Sequence, residues 1–307
     1  VVFAATLGSK REVSFVGLHL PRSARRITAA SLLAVAMVTL SGCSANDILY
    51  LEIPSPVTSE GRWLHDMWTG SWDALWLVGI VVWGLMAYVS IRYRRRDEAF
   101  VPVQLRYHLP IEIFYTLVPV MMVIVMFFFT VRAQDHVLAD DNKPADYNIL
   151  VVGQKWSWTF NYDVDVTQDD KRTISPTATT AFEAGTPAEP PTLYLPVNKS
   201  VSLDLRSPDV IHSFWVPAFL FKLDVFPGRP GHFTVTPTET GTFVGKCTEL
   251  CGTYHSRMLF NVKVVSEAEY KAHVAELAAA GNTGLAEGSV FVTQQAGLGS
   301  QTSGGQE

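Results

Sequence analysis

The sequence predicts an α+β membrane protein, a two-helix transmembrane hairpin followed by an all-β sandwich. Three observations carry this. Two apolar runs, residues 72–91 and 111–131, interrupted only near their starts by Asp73 and Glu112, each have the roughly 20 residues that a membrane helix needs. Short alternating runs, separated by Gly, Pro, Asn and Asp, fill most of residues 147–265. The 307 residues are 48% hydrophobic with a positive mean hydropathy, high for a purely soluble chain.

The chain opens on a leader. "RSARRITAASLLAVAMVTLSGC" places arginines before an apolar run over residues 27–40 and then small residues, the pattern of a secretory signal. The run is too short for a comfortable membrane span. Its ending, "LSGC", resembles the bacterial lipobox, in which the cysteine carries a lipid and becomes the mature N-terminus. Residues 1–42 are therefore expected to be a signal peptide and Cys43 a lipid anchor. Residues 43–70 then form an outer N-terminal segment.

The hairpin is expected over residues 71–132. "WDALWLVGIVVWGLMAYVSI" and "IEIFYTLVPVMMVIVMFFFTV" must be helices, because lipid offers no partner to an open backbone. Between them lie Arg92, Arg94, Arg95, Arg96 and Arg106 against Asp97 and Glu98. The positive-inside bias puts this loop in the cytoplasm and everything after Arg132 outside, in agreement with the signal peptide. Glu112, just inside the second run, has two readings on sequence physics alone: a functional carboxylate at membrane depth, or an interfacial one that reaches for water.

The outer part, residues 133–265, reads as a β-sandwich or barrel built from "YNILVVGQ", "WSWTFNYDV", "TLYLPV", "SVSLDLRS", "HFTVTP", "GTFVGK" and "LFNVKVV". Residues 163–191 are rich in Thr, Pro and Ala. They interrupt the pattern as an insertion, a functional excursion or a partly disordered one. Over residues 266–307, Ser266 and Glu269 form a capping box before a short amphipathic helix, and the Gly/Ser/Gln-rich stretch from Gly281 is expected to be disordered. From Ala133 onward twelve Lys and Arg face twenty Asp and Glu. That acidity argues against nucleic acid and suits a basic protein partner.

The chemistry concentrates in "KCTELCGTYHSRM", residues 246–258, which holds two of the three cysteines. A Cys247–Cys251 disulfide would close a very small loop, with little entropic gain, and leaves His255 and Met258 as coincidences. Zinc knuckles and thioredoxin-like motifs use C-x-x-C, whereas the spacing here is C-x3-C, and a thioether is a poor zinc ligand. Thiolate, thioether and imidazole together select copper. A single blue-copper ion uses one Cys; two thiolates can bridge two ions. Each ion then needs one imidazole and one weak axial ligand. His255 and Met258 supply one of each, and the Glu249 carbonyl could supply the other axial ligand. His212, in "SPDVIHSFWVP", is the candidate second imidazole, although a histidine beside apolar residues is more often structural.

These motifs, in this order, closely resemble subunit II of the haem–copper cytochrome c oxidases. The resemblance spans residues 63–265. It includes C-S-E-x-C-G-x-x-H-x-x-M with Thr248 in place of Ser, "SPDVIHSFWVP", "FKLDVFPGR" around Asp224 and Arg229, and the aromatic "GQKWSWTFNY" with Lys155 in place of Gln. It implies a cupredoxin-like Greek-key sandwich carrying a dinuclear CuA centre on His212, Cys247, Glu249 (through its carbonyl), Cys251, His255 and Met258. It further implies that electrons arrive from a c-type cytochrome through Trp156 and pass to haem in subunit I. There oxygen is reduced to water with proton pumping. Glu249's carboxylate would help bind magnesium or manganese at the interface with subunit I, and Glu112 would lie at the entrance of a proton pathway. Asp209 is a candidate carboxylate for docking the donor. The implied setting is a bacterial plasma membrane, with further oxidase subunits as partners and the copper domain on the outer face.

Three rivals remain. A quinol oxidase subunit would lack this ligand set. A membrane-anchored copper-delivery or thiol redox protein would not need the hairpin or the aromatic stretch. Nitrous oxide reductase carries CuA without this hairpin.

Overall fold

The computed structural model describes residues 30–33, 35–37, 44–51, 53–95, 101, 103–138, 144–167 and 172–286. Cys43, with the lipid anchor read there, lies outside them, as do residues 1–29 and 38–42 of the leader and the tail from residue 287. The chain divides into two units, Val1–Glu52 and Ile53–Glu307. In the first, α1 (Ala45–Tyr50) is a short helix closed by a capping box: Ser44 Oγ accepts the Asp47 N–H at 3.1 Å, and the Asp47 carboxylate accepts the Ser44 N–H at 2.6 Å.

The second unit opens with two long helices, α2 (Ser59–Arg92) and α3 (Leu109–Val137), both long and apolar enough to cross a membrane. Each continues past its apolar run on the sandwich side. α2 begins thirteen residues before residue 72 because its start is set by hydrogen bonding and not by hydropathy. Thr58 caps it, accepting the Gly61 N–H at 3.0 Å. Ser59 donates its N–H to the Thr236 carbonyl at 3.0 Å, and the Glu60 carboxylate accepts the Thr236 N–H at 2.9 Å. Gly61 is needed there, since a Cβ would lie 2.8 Å from the Phe219 carbonyl oxygen. α3 starts with Pro110 in its first turn, where the missing N–H costs nothing. Glu112 serves that same turn: its carboxylate accepts the His108 N–H at 2.9 Å. At the other end Trp63 of α2 stacks on His136 of α3 with ring centroids 3.7 Å apart.

Ten strands follow: β1 (Tyr147–Gln154), β2 (Ser157–Val166), β3 (Ile174–Ala184), β4 (Thr192–Pro196), β5 (Val201–Arg206), β6 (His212–Val216), β7 (Phe221–Val225), β8 (Gly231–Val235), β9 (Gly241–Cys247) and β10 (Leu259–Val265). They form two five-stranded sheets, ordered β3-β2-β1-β5-β8 and β4-β10-β9-β6-β7. β1 with β5 and β4 with β10 are parallel; the other neighbours are antiparallel. This is the cupredoxin-like sandwich. Its core is aromatic: the fully buried rings of Trp158, Phe214 and Phe260 meet one another at centroid distances of 4.7 to 5.5 Å.

Two expectations need correction. Part of the stretch read as an excursion, Ile174–Ala184, is the edge strand β3, paired with β2 from Thr159↔Ala184 to Val166↔Ile174. It has few apolar residues because an edge strand buries little, and its β-branched threonines suit the extended backbone. The stretch expected to be disordered from Gly281 is ordered over residues 281–286. The Phe182 N–H donates to the Asn282 carbonyl at 3.0 Å, Gly284 donates to Thr180 at 2.8 Å, and Ala286 donates to Asn161 Oδ1 at 2.8 Å. The open edge of β3 gives these residues the partners that their composition does not advertise. Before them, Ser266 caps α4 (Glu267–Ala279), accepting the Glu269 N–H at 3.3 Å. The Glu269 carboxylate meets the Ser266 hydroxyl at 3.4 Å, so the reciprocal half of the expected box goes to the side chain.

Among the described residues Asp204 is paired in the interior with two arginines, Arg172 and, at 3.9 Å, Arg206. Asp204, fully buried on β5, accepts Arg172 Nε at 2.6 Å and Nη2 at 3.1 Å. Arg206 donates to the Arg172 carbonyl at 2.9 Å. Removing one partner would leave a desolvated guanidinium uncompensated. Asp204→Ala is therefore expected to destabilise the chain by about 3–5 kcal/mol; urea unfolding of the two proteins in detergent checks this.

Candidate metal centre

β6 and β9 are neighbours, paired at Phe214↔Cys247 and Trp215↔Lys246. β6 begins at His212 and β9 ends at Cys247, so the pairing delivers an imidazole beside a thiol. The chain then makes a loop and returns as β10, with the Cys247 N–H donating to the Met258 carbonyl at 3.0 Å and Thr248 donating to Ser213 at 3.2 Å. Within the loop the His255 N–H donates to Gly252 at 3.1 Å and the Met258 N–H to His255 at 3.2 Å. Gly252 has φ +122°, and a Cβ there would come within 3.1 Å of the Trp156 indole nitrogen.

The six donors read from the sequence converge here. His212 Nδ1 lies 3.8 Å from Cys247 Sγ, and Cys247 Sγ is 3.9 Å from Cys251 Sγ. The Glu249 carbonyl oxygen is 3.3 Å from Cys247 Sγ. His255 Nδ1 is 3.5 Å and Met258 Sδ 3.7 Å from Cys251 Sγ. His212, Cys247 and Cys251 form the metal-competent His/Cys group found among the described residues. A disulfide has its sulfurs about 2.05 Å apart, so both cysteines are free thiols. His212 and Met258 are fully buried, and each cysteine is 5% exposed. Two thiols, two imidazoles, a thioether and a carbonyl, linked by contacts of 3.3 to 3.9 Å around the two buried sulfurs, fit copper by the softness of the set.

Charge is arranged in the same direction. His212 Nε2 donates to Asp209 Oδ1 at 2.9 Å, which leaves Nδ1 facing the sulfurs. Burial works against the Asp209 charge, but the His212 hydrogen bond and the backbone N–H groups of Lys155 and Val210 outweigh it and hold the carboxyl down to about 2. Burial likewise opposes protonation of His212, and Asp209 reverses that and raises it. Burial would raise Cys247, yet the hydrogen bonds from His212 and from the backbone at Ser213 and Glu249 pull it down to about 7. Burial and the neighbouring Cys247 push Cys251 up to about 12. Cys247 is thus the first thiolate of the pair.

Trp156 sits against the same loop. Its indole N–H donates to the Cys251 carbonyl at 3.1 Å and its ring meets Tyr254 edge-on at 5.1 Å. The orienting role of Asp209, three residues before His212, was not evident from the sequence; an Asp-x-x-His spacing just before a strand is the signal that could have found it. Trp158, whose alternation with Trp156 is the sequence signal for it, donates to the Met258 carbonyl at 3.4 Å and packs on His212. The Glu249 side chain is exposed. Glu112 is not brought to this site: α3 separates it by roughly 36 Å from His136, the end near the sandwich.

Comparison with known proteins agrees with this geometry. Residues 147–265 match the family model "Cytochrome C oxidase subunit II, periplasmic domain". The chain is 42% identical over 294 residues to a probable cytochrome c oxidase subunit 2 of Streptomyces avermitilis, covering 88% of this chain and 92% of that one. It is 33% identical over 298 residues to cytochrome c oxidase subunit 2 of Mycobacterium tuberculosis, covering 82% of each. Among solved structures, the periplasmic domain of cytochrome oxidase subunit II from Bradyrhizobium japonicum is 28% identical, with TM-score 0.35, covering 45% of this chain and 97% of that one.

Asp209→Asn is expected to lower copper affinity about 10–100-fold, read by competition with a copper chelator. The stabilisation that Asp209 gives the fold is present above about pH 4, its ordinary value, and is lost as pH falls toward the folded-state value. The stability gap between the parent and Asp209→Asn is therefore expected to close on acidification, as followed by unfolding at a series of pH values.

Proposed function

Because the chain belongs to the cytochrome c oxidase subunit II family, we propose that it is the electron-entry subunit of a cytochrome c oxidase. The observation that carries this is the convergence of six donors from β6, the end of β9 and the loop before β10. His212, Cys247, the Glu249 carbonyl, Cys251, His255 and Met258 would hold a dinuclear copper centre. When bound, that centre supplies one-electron exchange between a c-type cytochrome and the haem of subunit I, where oxygen is reduced to water with proton pumping.

The chain's own residues do the rest. Asp209 fixes the His212 ring, so Nδ1 is available at every turnover. Met258 and the buried cysteines keep water out, and β9 and β10 clamp both ends of the loop, so the donors hold their positions whatever the charge. Trp156 gives the donor protein a short route in, its indole hydrogen-bonded directly to the Cys251 carbonyl. The acidic residues after Ala133 steer a basic cytochrome toward this face, and Asp209, one-quarter exposed, can still add to that field.

The same reading assigns residues 71–132 to a hairpin in a bacterial plasma membrane and residues 133–265 to its outer face. The arginines at positions 92, 94, 95, 96 and 106 support that orientation. It assigns the exposed Glu249 carboxylate to a magnesium or manganese ion shared with subunit I, and Glu112 to the mouth of a proton pathway at the far end of α3.

Copper loading of the purified full chain is expected to give two coppers per chain and a mixed-valence dinuclear signal; one copper per chain, or a Cys247–Cys251 disulfide in the mature protein, would contradict the reading. In the assembled oxidase, the on-rate for a basic cytochrome is expected to fall about tenfold or more between low and physiological salt. Stopped-flow traces at a series of ionic strengths measure it, and a flat profile removes acidic-face docking. Trp156→Phe is expected to slow electron entry while the copper spectrum stays unchanged.

A further inference from the structure

α2 and α3 do not close against each other along their whole length. Near the sandwich a cavity of about 360 Å³ opens between Trp63, Gly70 and Ala74 of α2 and Val125, Phe129 and Arg132 of α3. A second, also about 360 Å³, continues along α3 past Met121 to Leu117. Ala74, Val125 and Met126 line both, so the two form one groove. Small residues on α2 create it: a Cβ built on Gly70 would meet nothing within 4 Å. From Leu117 to Arg132 the helix rises roughly 22 Å, more than the roughly 15 Å of one leaflet's hydrocarbon. Apart from Asp66, Ser71 and Arg132 toward its sandwich end, the groove is lined by apolar residues, which suits a polymethylene chain.

The sandwich end of the groove carries opposite charges. Arg132 and Asp66 both line the upper cavity, and no ion pair joins them among the described residues. Asp66 keeps 81% of its side chain exposed, with His65 Nδ1 at 3.7 Å. Trp63, Trp68, Trp72 and the Trp63–His136 stack mark this level as the membrane–water boundary. A guanidinium at that depth suits a phosphate, and an exposed carboxylate beside it suits an ammonium that can donate hydrogen bonds.

We propose that this groove is a binding site for a phospholipid with a primary ammonium headgroup: acyl chain along Gly70, Ala74, Val125 and Met126, phosphate at Arg132, ammonium at Asp66. The site rests on the membrane crossing of α2 and α3. If that crossing were wrong, the full chain would stay in solution without detergent, an outcome distinct from any failure of lipid selectivity.

The test is native mass spectrometry of the full chain in detergent, titrated in parallel with phosphatidylethanolamine and phosphatidylcholine. One phosphatidylethanolamine is expected to be retained per chain, about tenfold more tightly than phosphatidylcholine, whose quaternary ammonium donates no hydrogen bond. Asp66→Asn is expected to erase that preference, Arg132→Gln to weaken both lipids, and Ala74→Leu to block both by filling the groove. The copper signal of the outer domain reports that each variant is folded. Equal retention of the two lipids by the parent chain, or unchanged retention in Ala74→Leu, overturns the proposal. So does an Ala74→Leu chain that keeps its lipid but no longer assembles with the other oxidase subunits, because the groove would then receive protein.

Discussion

Two residue pairs between β6 and β9 hold the functional part of this molecule together. Phe214 opposite Cys247 and Trp215 opposite Lys246 bring a histidine from one strand against a cysteine from another, 35 residues further along the chain. The ligand loop is then closed by β9 and β10, whose ladder starts at Lys246↔Leu259. The site thus lies at the ends of three central strands, β6, β9 and β10, and is not a free loop. A slip of one residue in β6 would turn His212 to the other face of the sheet and leave the two sulfurs with one imidazole.

That register is backed by the core. Phe214 and Phe260 stack at 4.7 Å, and Trp158 meets both from the opposite sheet while its indole reaches the Met258 carbonyl. The strands that carry the donors therefore rest on rings packed without freedom to shift. The second layer of order is electrostatic. Asp209 ties His212 to the Lys155 backbone, and Lys155 is the neighbour of Trp156, which is itself bound to the Cys251 carbonyl. One carboxylate thus couples the imidazole, the tryptophan and the cysteine loop through three hydrogen bonds.

The helical hairpin is continuous with this scaffold and is not tethered to it by a loose linker. The first turn of α2 hydrogen-bonds to Thr236, just after β8, and Val57 exchanges bonds with Ala218 and Thr238 on either side. Val137, at the end of α3, joins Phe219, Phe221 and Phe233 below the sandwich. A membrane crossing by α2 and α3 would therefore fix the height and tilt of the copper loop. The proposed electron entry would need this, because a donor protein must meet the site at a fixed place.

Much of this was legible in the chain itself. The two long helices were legible because apolar runs of that length favour a helix that satisfies its own backbone. The ligand loop was legible because its chemistry is packed into residues 246–258 at a spacing that zinc and thioredoxin motifs do not use. Hydropathy missed the first thirteen residues of α2, because a cap and two bonds to Thr236 decide where that helix starts. It missed β3 because an edge strand is held by ladder bonds and needs little apolar surface, and it missed the order at residues 281–286 because their partners, Phe182 and Thr180 on β3 and Asn161 on β2, are far away in the chain. The position of Asp209 under His212, the facing of Trp156 onto Cys251 and the groove between the helices appear only in three dimensions. Local sequence sets which side chains are available; long-range backbone pairing sets which of them meet.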